Sequence, residues 1–170
     1  NHFKCCGDGN LDLSDSSDEE YRRFMSSQLL EEYINDNYEN SKVILLGDLN
    51  DSLTDNDSNN VFINFLNSEN FLFADYHIAD GASGNWSFPG WPSHIDHILI
   101  SDELFSDFEN SEVETFKVDD YFSGGLNSYD NYVSDHRPVY MKINFSDQDA
   151  GDINNDSSLD ILDVIAIINL

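Results

Sequence analysis

Four short stretches carry side chains that can move protons or hold cations: "NHFK" at 1–4, "GDLN" at 47–50, "IDHILIS" at 95–101 and "SDH" at 134–136. Imidazoles titrate near neutrality and carboxylate oxygens suit hard divalent ions. In these stretches His2, His97 and His136 are the imidazoles and Asp48, Asp96 and Asp135 the carboxylates, with the Asn50 amide beside Asp48. Singly, each stretch reads as ordinary structure: Gly-Asp-x-Asn as a turn, a lone His as a hydrogen-bonded structural group, Asp135–His136 as a surface loop. Together, each falls at a strand end or in the adjoining loop, where a sandwich presents side chains from several strands to one place.

The elements that must position them are legible. Residues 1–4 read as the end of a strand. Ser17 and Glu20 have the spacing of a capping box, with Asp18 and Glu19 in the favourable first turn of a helix. Tyr21, Phe24, Met25, Leu29, Tyr33 and Ile34 recur at helical spacing and define the predicted buried face. The run "KVILLGDLND" has apolar residues without alternation, the pattern of a strand covered on both faces. "NVFINFLNS" reads as a short helix, "IDHILIS" as a buried strand, and "VETFKV" and "PVYMKINF" as further strands, the last alternating as a half-buried one. "GASGNWSFPGWPSH" is a loop whose Trp86, Phe88 and Trp91 either pack on the domain or wall a site. His94 and His97 read as structural, and His77 lies outside every motif. The fold class is α/β layered over 1–145, then a linker at 146–151 and a separate small element at 152–170.

The charge balance is extreme, with 34 acidic against 7 basic residues and a net charge of −27. That argues against an electrostatic groove for nucleic acid, which relies on Lys and Arg. Because the acids are spread along the whole chain, it points to a saline or extracellular setting and to divalent cations. The longest apolar run, "VIAIINL", is far short of the roughly 18–20 residues that span a bilayer. Neighbouring Cys5 and Cys6 are a poor disulfide framework and receive no role. The chain opens at Asn1 without an initiator Met, as if inside a strand, and is expected to be a fragment.

In type and order, the four motifs resemble the C-terminal part of the endonuclease/exonuclease/phosphatase superfamily, a deoxyribonuclease-like group, over about residues 1–145. The resemblance implies part of a four-layered α/β sandwich and Mg2+-dependent hydrolysis of a phosphoester. It implies His136 as general base and Asp96 as the carboxylate that orients it. It assigns Asp48 and Asn50 to positioning the nucleophile and contacting the phosphate, His2 to the phosphate and leaving group, and Asp135 to the metal. Neighbours Asp135 and His136 would then be sent to different tasks by strand alternation. Lys4 and Arg137 lie within two residues of a candidate His and either offset acidity at a phosphate or are solvated cations. The family's metal-binding Glu belongs to a half of the domain with no counterpart in this sequence.

A second constellation closes the chain. Asp152, Asn154, Asp156, Ser158, Asp160 and Asp163 fall at positions 1, 3, 5, 7, 9 and 12 of an EF-hand-like loop, the spacing that wraps Ca2+ with oxygen ligands. With Asp at the last position and no entering helix, it resembles a single dockerin type I repeat, which implies export and docking to a cohesin-like partner or the cell surface. The expectation is a bacterial, exported metallo-phosphoesterase acting on nucleic acid, lipid head groups or small phosphoesters. A catalytically inert, calcium-dependent assembly module stands as the alternative, and a polysaccharide-degrading enzyme has no carboxylate pair to support it.

Overall fold

The run "IDHILIS" forms the strand around which the chain is organised. The computed structural model describes residues 1–145; the linker expected at 146–151 and the calcium loop expected at 152–170 lie outside the described residues. In chain order the elements are α1 (Glu19–Asn37), β1 (Ile44–Asp48), α2 (Ile63–Leu66), β2 (Phe71–Phe73), α3 (Tyr76–Ala79), β3 (Asp96–Ser101), α4 (Phe105–Phe108), β4 (Glu112–Thr115), α5 (Gly125–Tyr132) and β5 (Val139–Lys142). Central β3 pairs antiparallel with β1 on one side and β2 on the other, while β4 and β5 form a separate antiparallel pair. This is a mixed α/β architecture with two small sheets. Among the described residues, no helix is long and apolar enough to cross a membrane.

Period-two alternation along β3 divides the core. His97 and Leu99 face Phe62 and Phe73, in the cluster between the sheet and helices α1 and α2. Ile98 and Ile100 face the other way, onto Leu104, Val113, Val139 and Met141 of the β4–β5 side. The expectation of a doubly covered strand holds for β3, but β1 corrects it for "KVILLGDLND". Leu45 is buried, yet Ile44 is 41% and Leu46 56% exposed, because β5 packs over β3 rather than β1. Their side chains instead line a groove of about 630 Å3 that also contains Asp96, His136 and Met141. Strand β5 is half-buried along Val139–Met141 and does not alternate as predicted.

Helix α1 differs from its predicted form at both its start and its buried face. Asp18, not Ser17, is the N-cap; its carboxylate accepts from Tyr21 N at 2.7 Å. Glu20 turns inward instead of reaching back to Ser17, because Gly9 N donates to it at 2.8 Å and Arg23 lies beside it. The buried residues of the helix are Glu20, Arg23, Ser27 and Ile34, whereas Leu29 and Tyr33 are exposed. The apolar count found Ile34 and the partly buried Phe24 but missed Glu20, Arg23 and Ser27, polar residues that each have a partner. Ser27 donates to Val61 O at 2.6 Å, and Arg23 meets Asp51 at 2.7 Å, Lys4 O at 2.8 Å and Cys6 O at 2.7 Å. One guanidinium thus ties the N-terminal segment and the loop after β1 to α1.

Replacing Arg23 by Met is expected to destabilise the protein by about 3–5 kcal/mol, because Glu20 and Asp51 are left as buried, unpaired charges. Urea unfolding of the variant beside the wild type measures it; a change within 1 kcal/mol (roughly the worth of an exposed pair) would contradict the reading.

Candidate active site

Antiparallel pairing of β1 with β3 sets Gly47 opposite His97 and Asp48 opposite Asp96. Two carboxylates facing each other across a ladder repel, so the arrangement calls for positive charge. Burial and the nearby Asp96 charge push the Asp48 carboxyl above its usual range. The N-terminal segment crosses here: His2 bridges Asp48 in parallel, and Phe3 N donates to Asp48 O at 2.9 Å. A Cβ on residue 47 would collide with the Asn1 carbonyl, which explains the Gly of "GDLN". Asn50 then takes a left-handed φ of 55°, a conformation Asn tolerates. Its N donates to Asp48 Oδ1 at 3.0 Å and its Nδ2 to Phe3 O at 3.2 Å.

His136 arrives from the loop between α5 and β5. Its Nδ1 lies 2.7 Å from Asp96 Oδ2, and its ring stacks on Phe88 with centroids 4.8 Å apart. The Asp96 hydrogen bond holds the His136 pKa above its ordinary 6.5, against the opposing effect of burial. Burial would raise Asp96, but hydrogen bonds from His136 and Ser87 outweigh it and hold the carboxyl low. The loop is fixed from both sides: Tyr129 OH donates to His136 O at 2.7 Å, and Arg137 N to Ser87 O at 2.7 Å. One ligand atom from each of Asp48, Asp96 and His136 lies within 4.8 Å of the others.

Behind the site lies a buried acid that the sequence reading passed over. Asp75 Oδ2 accepts from His94 Nε2 at 3.0 Å and from His97 Nδ1 at 2.6 Å, while its Oδ1 accepts from Ile98 N at 2.8 Å. His94 Nδ1 accepts from Ser87 N, which makes His94 the neutral Nε2–H tautomer. His97 faces acceptors at both nitrogens, the Asp75 carboxylate and the Asp51 carbonyl at 2.9 Å. It must donate twice and is therefore an imidazolium. Burial opposes that charge, but Asp75 overrides it and raises the His97 pKa; the same partners hold Asp75 well below the carboxylate range in spite of its burial. His94 and His97 are structural, as expected.

The structure thus brings Asp48, Asp96 and His136 together, with Asn50 bonded to Asp48 and with His2, 71% exposed, 3.5 Å from Asp48. Asp135 is exposed and outside the convergent group. It and His136 sit in a bend, not a strand, so alternation does not separate them. Arg137 is buried and forks onto Asp119 at 2.8 and 2.6 Å; Lys4 is exposed. The loop aromatics divide: Trp86 Nε1 donates to Ile78 O at 3.0 Å, Phe88 stacks on His136, and Trp91 is exposed. His77 is exposed. Ser87, Asp75 and Arg23 were missed, since their only sequence signal is a polar residue amid apolar ones.

The sequence profile of the Endonuclease/Exonuclease/phosphatase family matches residues 7–136, ending on His136 and starting after His2. The chain belongs to that family. Comparisons with curated proteins and with solved structures return no match.

Asp75→Asn is expected to cost about 3–5 kcal/mol, as one partner of a buried charge pair is removed. The sign with pH follows from both shifts. A raised His97 contributes stability fully below the unfolded histidine value and loses it as pH climbs through the folded value; a lowered Asp75 contributes above the unfolded carboxylate value. The difference between variant and wild type in urea unfolding should therefore be largest near pH 5–6 (roughly midway between the unfolded carboxylate and histidine values) and shrink in alkali. A pH-independent difference would contradict the imidazolium.

Proposed function

We propose that this member of the Endonuclease/Exonuclease/phosphatase family is a hydrolase that cleaves a phosphoester by attack of a water deprotonated at His136. The observation that carries the reading is the 2.7 Å hydrogen bond between His136 Nδ1 and Asp96. With Nδ1–H donated to the carboxylate, the neutral ring presents its Nε2 lone pair to a water. As the ring takes the proton, Asp96 stabilises the imidazolium and holds it in register. Asp48 and Asn50 orient the nucleophile and the phosphate, and His2, exposed beside Asp48, contacts the phosphate and assists the leaving oxygen.

The donor set fits the divalent metal of the family, usually Mg2+: paired carboxylates on neighbouring strands, one of them pushed up by the other, gain from a hard cation. Asp48 would hold it, since Asp96 is committed to His136. When bound, such an ion neutralises phosphoryl oxygens and makes a water easier to deprotonate. The groove that begins at Asp96 and His136 and continues along Ile44, Leu46 and Met141 supports a substrate with an apolar part beside its phosphate. The net charge of −27 disfavours tight, non-specific contact with a polyanion. Lipid head groups and small phosphoesters are therefore preferred over long nucleic acid. We also assign to the tail, from its oxygen spacing, Ca2+ binding through Asp152–Asp163 and docking to a cohesin-like partner of an exported protein.

Mg2+-supported hydrolysis of bis-p-nitrophenyl phosphate is expected, with a fall of roughly 10²–10⁴-fold in kcat for His136→Ala and loss on chelation. Equal rates for the variant and wild type would remove His136 from the chemistry. A wild type without turnover would favour the inert assembly module instead.

A further inference from the structure

Outside the active site, the loop from Gly7 to Asp18 folds its carboxylates onto the first turn of α1. One oxygen from each of Asp8, Asp18 and Glu20 lies within 4.8 Å of the others. Each acid uses one oxygen on a local donor. Asp8 Oδ1 accepts from Asn10 N at 3.0 Å, Asp18 Oδ2 from Tyr21 N at 2.7 Å, and Glu20 Oε1 from Gly9 N at 2.8 Å. Glu20 is only 2% exposed, and its Oε2 is fully buried without a hydrogen-bond partner among the described residues. A buried carboxylate oxygen with no donor is costly, and two further acids lie beside the same side chain. The backbone has made room for it: Gly7, at φ 110°, lies where a Cβ would collide with the Glu20 carboxylate. Arg23 touches Glu20 at 3.1 Å, but the same guanidinium also serves Asp51 at 2.7 Å.

We infer that Asp8, Asp18 and Glu20 form a Ca2+ site distinct from both the active site and the tail loop. Three carboxylates supply hard oxygen ligands from a glycine-containing loop with irregular geometry, which suits Ca2+ better than the near-octahedral shell that Mg2+ demands. Their formal charge exceeds what the shared Arg23 can balance, and a divalent ion offsets the excess. The ion would act on the active site through one side chain. Arg23, held by Glu20, fixes the carbonyls of Lys4 and Cys6, two and four residues from His2, and grips Asp51, next to Asn50. The site does not depend on the hydrolase reading, and its test reads binding rather than turnover.

Ca2+ titration of the full chain by calorimetry tests it, with the double tail variant Asp152→Asn/Asp156→Asn removing the other candidate loop. That variant is expected to keep one Ca2+ per chain, and adding Asp8→Asn to it should weaken binding at least tenfold. Asp8 is exposed, so the added substitution leaves the core alone. Saturating Ca2+ should also raise the melting temperature of the tail variant by roughly 5 °C or more, and Asp8→Asn should abolish the rise. A tail variant that binds no Ca2+, or one whose affinity is unchanged by Asp8→Asn, would overturn the inference.

Discussion

Alternation along β3 is the constraint on which the rest depends. A pleated strand sends neighbours to opposite faces, and on β3 the neighbours are Asp96 and His97. Asp96 faces His136 and the open groove, where it is partly solvated; His97 faces the core, where Asp75 keeps it charged. Every other part of the site is registered against this pair. Pairing with β1 sets Asp48 beside Asp96, Ser87 reaches the Asp96 backbone, and the Asp51 carbonyl that follows the "GDLN" turn rests on His97. A slip of one residue would exchange the two faces and dismantle the Asp96–His136 pair and the core together.

The chain is poor in cations, and where it buries them is informative. Two of its seven basic residues, Arg23 and Arg137, are buried among acids and backbone carbonyls. Each joins segments that the sheets leave separate. Arg23 gathers α1, the N-terminal segment and the loop after β1, while Arg137 joins the His136 loop to Asp119 and Gly84. A guanidinium does this well because its planar fork donates in several directions at once. Both guanidinium groups are spent on these partners: that of Arg137 forks onto Asp119 rather than onto Asp48 or Asp96.

Much of this was legible in the sequence because it rests on local signals. Asp48, Asp96 and His136 lie together, though Asp135 stands apart; β3 is covered on both faces, and His94 and His97 are buried among hydrogen-bond partners. What was not legible depends on tertiary partners. The buried face of α1 joins Ile34 to the polar Glu20, Arg23 and Ser27, so hydrophobic periodicity found Ile34 but also pointed to Leu29 and Tyr33, which are exposed. The N-cap passed from Ser17 to Asp18 because Glu20 found better donors in Gly9 and Arg23. Asp135 and His136 looked like a strand pair separated by alternation; that division is real, but it belongs to Asp96 and His97. Asp75, the acid beneath the site, lies in "FADYH" with no spacing to betray it.

The claim at the centre is that Asp96 works by holding His136 rather than by an independent route. A double-mutant cycle on kcat with bis-p-nitrophenyl phosphate measures that coupling, using Asp96→Asn, His136→Ala and both together, all with saturating Mg2+. Residues acting as a unit are strongly non-additive. The double variant should therefore be no slower than His136→Ala alone. If the two losses multiply instead, Asp96 acts independently of the imidazole, and the paired base is the wrong description of this site.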